Sequence, residues 1–344
     1  MSDRSYEADV CAVVVTFNRK DLLPRCLEAL NSQSRKPELI IVVDNASTDG
    51  TPAVLKDRGY IASLPPIGID ESVALVDSEY VVVEDGFIEN YSQKIRNLNR
   101  EHCGILYVRM NSNTGGAGGF HEGQKLAHQL GFSWLWLMDD DGYPSETCLE
   151  NLLISTQEHP FSAINPLVIN CDEPEFLSFG LGPKLKTVSG AITAGGIKSV
   201  IYGVANPFNG TLISHKLISD IGYIKKEMFI WGDETEYFLR AKKYGFKIAT
   251  IVSASFFHPD SKTVYKTGCW GLLSIAGKPK RLEMNYYRNL SYLTRVYFLK
   301  GAAFNILKSV LYYLSQGDLK KVCRILAYVK DGWFDHYKLK NLQD

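Results

Sequence analysis

Three consecutive aspartates, Asp139, Asp140 and Asp141, follow directly on the apolar run Trp134–Met138. Adjacent carboxylates at the mouth of a buried strand repel one another unless a cation neutralises them. Side chains alternate along an extended chain, so Asp139 and Asp141 fall on one side, where both can reach one hard divalent ion. With oxygen ligands and a diphosphate completing the shell, that ion is Mg2+ or Mn2+. The plainer account is a solvated acidic turn. A second acidic group stands in Trp231-Gly232-Asp233-Glu234-Thr235-Glu236. Acids in the first turn of a helix complement its dipole, which alone explains them structurally. The chemical account makes one of them a general base toward a hydroxyl acceptor. Further on, the apolar pair Phe256-Phe257 closes on His258. A lone histidine is usually structural, but at the end of a strand in a protein that holds a metal it is a candidate ligand.

Three more stretches suit a nucleotide. Thr16-Phe17-Asn18-Arg19 ends the first apolar run, and in open α/β sheets ligands bind beyond the carboxyl ends of strands. Asp44-Asn45-Ala46-Ser47-Thr48-Asp49 ends the second. A carboxylate there can accept the N3–H of uracil, with Asn45 and Ser47 meeting its other edge; an Asx turn capping the next helix fits the same residues. In Asn113-Thr114-Gly115-Gly116-Ala117-Gly118-Gly119, four glycines in five positions let backbone approach a diphosphate or sugar and open the following helix. The spacing is neither a Walker loop nor GxGxxG. A purely structural turn is the alternative.

The elements that must hold these residues are legible in the hydrophobic periodicity. Val10–Thr16 is a β-branched run suited to burial on both faces. A helical pattern follows over Asp21–Gln33, then strands at Glu38–Val43, Ile105–Arg109 and Trp134–Met138. The alternation predicts an α/β sheet of crossover units. Residues 57–100 fit this rhythm poorly and read as an insertion or a small hairpin. Past residue 160 the pattern becomes short strands and Gly-rich loops, as in FGLGPKLKTVSGAITAGG, followed by a strand-like run at Phe208–Ser214. A helix is expected from Asp233 to Lys243, stopped by Gly245.

Composition bounds the rest. The 344 residues are 45% hydrophobic and 22% charged with zero formal net charge, an ordinary globular balance that points to no nucleic acid. Seven dispersed cysteines read as reduced thiols, the polar start MSDRSYEADV as no signal peptide, and both as a cytoplasmic protein. Residues 281–344 differ: 11 Lys and Arg stand against 5 Asp and Glu, with twelve aromatics and dense Leu and Ile at helical spacing. We expect two domains, a catalytic one over 1–280 and a basic, aromatic-rich helical extension over 281–344. The extension suits peripheral contact with the inner face of the cell membrane, or packing on the catalytic domain or a second copy in a homo-oligomer.

In order and spacing these stretches resemble glycosyltransferase family 2, inverting enzymes of the GT-A fold, a Rossmann-like nucleotide-diphospho-sugar transferase domain. NTGGAGGF, the unbroken Asp triplet, Phe208–Ser214 and WGDETEY look most like UDP-galactofuranose transferases. The resemblance implies a UDP-sugar donor bound by Thr16–Arg19, Asp44, Asn45, Asn113, Gly115, Gly116 and Asp140. It implies Mn2+ or Mg2+ on Asp139, Asp141 and His258. By position in the motif Glu234 is then the base with Asp233 in reserve, although the best known members of the subgroup carry Asp where Glu234 stands, and Trp231 and Glu236 meet a glycan or lipid-linked glycan acceptor. Rhamnosyltransferases are close relatives. Outside the family, a sugar-phosphate nucleotidyltransferase would need a Gly-rich, Arg-containing loop after the first strand, which TFNR is not. A non-catalytic glycan-binding protein would have no use for the intact acidic motifs.

Overall fold

The computed structural model describes residues 8–98, 104–182, 184–260, 264–268 and 273–337. Cys103, Cys269 and the chain's first and last seven residues, on which expectations above also rest, lie outside them. The elements run β1 (Val10–Thr16), α1 (Leu23–Asn31), β2 (Leu39–Asp44), α2 (Thr51–Asp57), β3 (Val73–Val76), β4 (Glu79–Val82), α3 (Phe87–Arg96), β5 (Gly104–Arg109), α4 (Gly115–Gln129) and β6 (Trp134–Asp139). There follow β7 (Tyr143–Pro144), α5 (Cys148–Glu158), β8 (Ala163–Asn170), β9 (Phe176–Leu181), β10 (Leu185–Thr187), α6 (Val188–Gly195), β11 (Val200–Tyr202), β12 (Asn209–Ser214), α7 (His215–Ile221), α8 (Asp233–Lys243) and β13 (Ile248–His258). The chain closes on β14 (Tyr265–Gly268), β15 (Leu273–Ala276), α9 (Glu283–Tyr297), α10 (Lys300–Ser315) and α11 (Leu319–Trp333). Packing divides it into two units, Met1–Ile224 with Arg240–Asp260, and Lys225–Leu239 with Ser261–Asp344.

The first unit is built on one mixed sheet in the order β10-β9-β8-β12-β6-β1-β2-β5-β3-β4, with β13 pairing β8, β7 and β11. Its centre, β6-β1-β2-β5, is parallel, as the crossover pattern predicts. All seven residues of β1 are buried, which explains why Val10–Thr16 lacks polar alternation. Register decides what meets at the carboxyl edge: Thr16 lies level with Asp44, Asp44 with Arg109, and Val15 with Asp139. Four strands therefore deliver their polar ends to one line. Residues 57–100 hold the β3–β4 hairpin, whose β3 pairs antiparallel with β5 at the sheet edge, and α3. The Gly-rich stretch after residue 180 contains a helix, α6, where the sequence suggests only strands and loops. Thr187 caps it by accepting the Gly190 N–H at 3.2 Å, and Ala191 packs in a small cluster with Leu167, Leu177, Leu181 and Ile201.

Among the described residues the regular structure of the second unit is helical apart from the β14–β15 ribbon. Helix α9 packs against α10 and α11 around Ile275, Tyr287, Tyr313, Val322 and Ile325. Buried Lys321 pairs with buried Glu283 inside it. Five cysteines, Cys11, Cys26, Cys148, Cys171 and Cys323, are free thiols. Among the described residues no helix is long and apolar enough to cross a membrane.

Candidate active site

The carboxyl edge of the parallel strands gathers most of the residues singled out by type and spacing. Thr16 donates its hydroxyl to Asp140, whose carboxyl is 5% exposed. Burial pushes Asp140 up to about 7, against the Thr16 hydrogen bond and the Arg19 charge. Asp141 is held from both sides: Arg19 Nη1 lies 2.8 Å from Oδ2 and His258 Nε2 3.1 Å from Oδ1. Burial would raise Asp141, but the hydrogen bond and charge of His258, then Arg19, bring it down to about 2. Burial likewise opposes charge on His258, and Asp141 overcomes it, so the imidazole pKa is raised. Asp139 goes the other way: burial and its two neighbouring carboxylates push it well above the ordinary carboxylate range. The turn can pass here because residue 142 is glycine. A Cβ at that position would sit 2.2 Å from the Phe256 ring.

The donor set suits a hard cation in kind: two carboxylates and an imidazole. His258 Nδ1 is 2.6 Å from the Pro259 carbonyl oxygen, which only accepts, so Nδ1 carries hydrogen and Nε2 is left for a proton or a metal. The set is not a ready cage. Among the described residues no three His, Cys, Asp or Glu side chains are close enough together to hold an ion. Arg19 and His258 already take both oxygens of Asp141, and a cation would have to replace the proton that His258 shares with it.

One strand over, Asp44 is fully buried, and its carboxylate accepts from Ser47 N–H at 2.7 Å, Tyr107 Oη at 2.6 Å and Arg109 Nη1 at 3.0 Å. Asn45 spends both ends of its amide, donating to the Gly115 carbonyl and accepting from the Thr114 hydroxyl. It ties the end of β2 to the start of α4. Asn18, in the left-handed region at φ 54°, bridges to Ser47 and Thr48. Phe17 is exposed. Asn113 accepts from Gly115 N–H at 2.8 Å, and Gly116 faces open space. The glycine run is the first turn of α4 rather than a loop before it, and Gly119 lets that helix rest on Val15 and Asn45. Tyr107 and Arg109 were not singled out by the sequence. An arginine closing a buried strand level with Asp44 was the available signal.

In the second unit, Glu234 lines a cavity of about 360 Å3 with Trp231, Lys278, Tyr286, Leu290 and Leu293 among its walls. The Glu234 carboxylate accepts the Gly232 N–H at 3.0 Å. Lys278 stands over the Trp231 ring at 4.0 Å and the Tyr286 ring at 5.0 Å. Burial lowers its pKa, while Glu234 supports its charge. Asp233 is 4% exposed and Glu236 2% exposed, the latter accepting from Tyr297 Oη at 2.6 Å. Of the acids in the motif, Glu234 is the one that borders the cavity. The loop before it is strained: Phe229 and Trp231 adopt φ 66° and 61°. Asn289, which sequence reasoning missed, holds it, its Nδ2 within 2.8 to 3.1 Å of the carbonyls of Met228, Ile230 and Trp231.

Comparison with known proteins gives these clusters a context. The family model described as glycosyl transferase family 2 matches residues 11–61 and 71–193. A galactofuranosyltransferase GlfT1 from Mycolicibacterium smegmatis is 31% identical over 295 residues, 83% of this chain and 82% of that one. A galactofuranosyltransferase GlfT1 from Mycobacterium tuberculosis is 28% identical over 329 residues, 94% of this chain and 88% of that one. Among solved structures, S. aureus TarS 1-349 aligns with a TM-score of 0.46 at 14% identity, over 95% of this chain and 72% of that one.

Proposed function

The chain belongs to glycosyltransferase family 2, and from that premise we propose that it transfers galactofuranose from UDP-galactofuranose to a hydroxyl of a surface glycan or lipid-linked glycan. What carries the choice of sugar is the 31% identity, over 83% of the chain, to a protein named a galactofuranosyltransferase. The mechanism we infer is one in-line displacement with inversion at the anomeric carbon. Uridine is assigned to the ends of β1 and β2, where Tyr107 and Arg109 fix the Asp44 carboxylate. Asp139, Asp141 and His258 would hold the divalent ion. Bound there, Mn2+ or Mg2+ supplies positive charge to the diphosphate of the donor. Arg19, already paired with Asp141, is a cation of this chain's own at the same edge. Glu234 accepts the proton of the attacking hydroxyl, and Trp231 offers an aromatic face to an acceptor sugar. Asp233 and Glu236, both buried, serve in this reading to hold the helix start.

A donor screen tests the proposal: UDP release from UDP-galactofuranose, UDP-galactopyranose, UDP-glucose and dTDP-rhamnose, each with and without Mn2+. UDP-galactofuranose should be turned over fastest. Turnover of dTDP-rhamnose with none of any UDP-sugar would replace the donor assignment. Undiminished activity in saturating EDTA would remove the metal.

A further inference from the structure

Helix α10 carries an apolar face that is exposed among the described residues. Phe304, Leu307, Leu311 and Leu314 are 59%, 53%, 44% and 45% exposed. At about 100° per residue they share an arc of about 80°. Lys300 projects within that arc and Lys308 about 40° beyond its Phe304 edge; the Lys308 ammonium lies 5.3 Å from the Phe304 ring. The buried residues Ala302, Ser309 and Tyr313 fall on the opposite side. None of the sixteen residues of α10 is acidic. On its neighbour α11, Leu319, Leu326 and Trp333 are also exposed, with Lys330 on the same side.

An exposed apolar stripe on a helix whose only charged side chains are lysines has two candidate occupants, a lipid surface and a second copy. A symmetric dimer through this face would set α10 against α10, lysines facing lysines with no carboxylate on either helix to relieve them. An anionic bilayer satisfies both features: acyl chains take the phenylalanine and leucines, and phosphates take the ammonium groups at the end of snorkelling stems. We propose that the Phe304–Leu314 stripe of α10 seats this protein on an anionic lipid surface, with Lys300 and Lys308 on lipid phosphates. The inference does not depend on the donor sugar or on catalysis.

The test uses the full chain and vesicles of phosphatidylcholine with or without phosphatidylglycerol, in the absence of donor and acceptor. Co-sedimentation should be about tenfold stronger with phosphatidylglycerol and should fall with salt. Leu307→Asp with Leu311→Asp should lower partitioning by about tenfold or more while leaving the thermal midpoint and UDP release unchanged. Lys300→Gln at an exposed position with Lys308→Gln at a half-buried one should abolish the preference for phosphatidylglycerol while leaving the thermal midpoint unchanged. Failure of the intact chain to bind anionic vesicles at low salt overturns the proposal. So does unchanged binding by both double variants, or a wild-type dimer that the aspartate pair converts to monomers while vesicles are ignored throughout.

Discussion

The glycines that open α4 should divide by what their missing side chains would meet. A Cβ at Gly119 would lie 2.5 Å from Val15 Cγ1 and 2.8 Å from Asn45 Nδ2, whereas at Gly116 it would meet nothing within 4 Å. Val15 is stiff at χ1 and 5% exposed, and Asn45 is committed at both ends of its amide, so neither yields easily. Overpacking of this kind costs about 1–3 kcal/mol, against a gain of about 0.5–1 kcal/mol from replacing glycine by alanine within a helix. Gly119→Ala should therefore lose about 1–2 kcal/mol net, and Gly116→Ala should gain up to about 1 kcal/mol. Urea unfolding of the three proteins measures both shifts. Equal stability of Gly119→Ala and wild type would refute the close contact of α4 with β1. A higher midpoint for Gly116→Ala together with a raised KM for the donor would mean that open backbone at 116 serves the ligand as well.

Three further expectations follow from the side-chain geometry. Glu234→Gln keeps shape and removes proton acceptance, so kcat should fall by roughly 10²–10⁴ with donor affinity little changed; an active Glu234→Gln and a crippled Asp233→Asn would move the base. Asp44→Ala leaves Arg109 and the buried Tyr107 hydroxyl without their acceptor and should cost about 3–5 kcal/mol; isothermal binding of UDP to a protein checked for folding separates this from lost recognition. For the Asp141–His258 pair in EDTA, the depressed carboxylate contributes stability above about pH 4 that is lost as pH falls through about 2. The raised imidazole contributes fully below about 6.5 and loses its share as pH rises through its folded pKa. The stability lost in His258→Ala, read by urea titration, should be greatest between about pH 4 and 6.5 and shrink above; a deficit constant from pH 5 to 9 would mean the pair carries no charge.

How far the sequence went is clearest from particular residues. The β-branched run Val10–Thr16 is a strand with those same bounds, because burial on both faces leaves no polar position to blur them. The helix from Asp233 to Lys243 is also bounded as expected, acids at its start and Gly245 at φ 85° just beyond its end. Asp141 and His258 meet because each ends or follows a strand of one sheet, which periodicity can reveal. What escaped was partnership over distance. Tyr107 and Arg109 reach Asp44 across more than sixty positions, and Asn289 reaches Met228–Trp231 across about as many. Neither leaves a local pattern. Helix α6 was missed for the opposite reason: glycine and threonine argue locally against a helix, and a cap at Thr187 with burial of Ala191 outweighs them.

The Asn289 clamp bears on how this chain can be divided by recombination or by design. A boundary drawn at residue 280, between the acidic motif and the helices that follow, would leave every acid of the motif in place. It would delete the Asn289 amide that reaches three backbone carbonyls, Met228, Ile230 and Trp231, before Glu234. A shortened enzyme of that kind should fold its sheet and lose the conformation of the loop before Glu234, and grafting α9 from a relative should restore the loop only where asparagine stands at the matching place. The helical tail and the acidic motif are thus one heritable module, whatever the order of their residues along the gene.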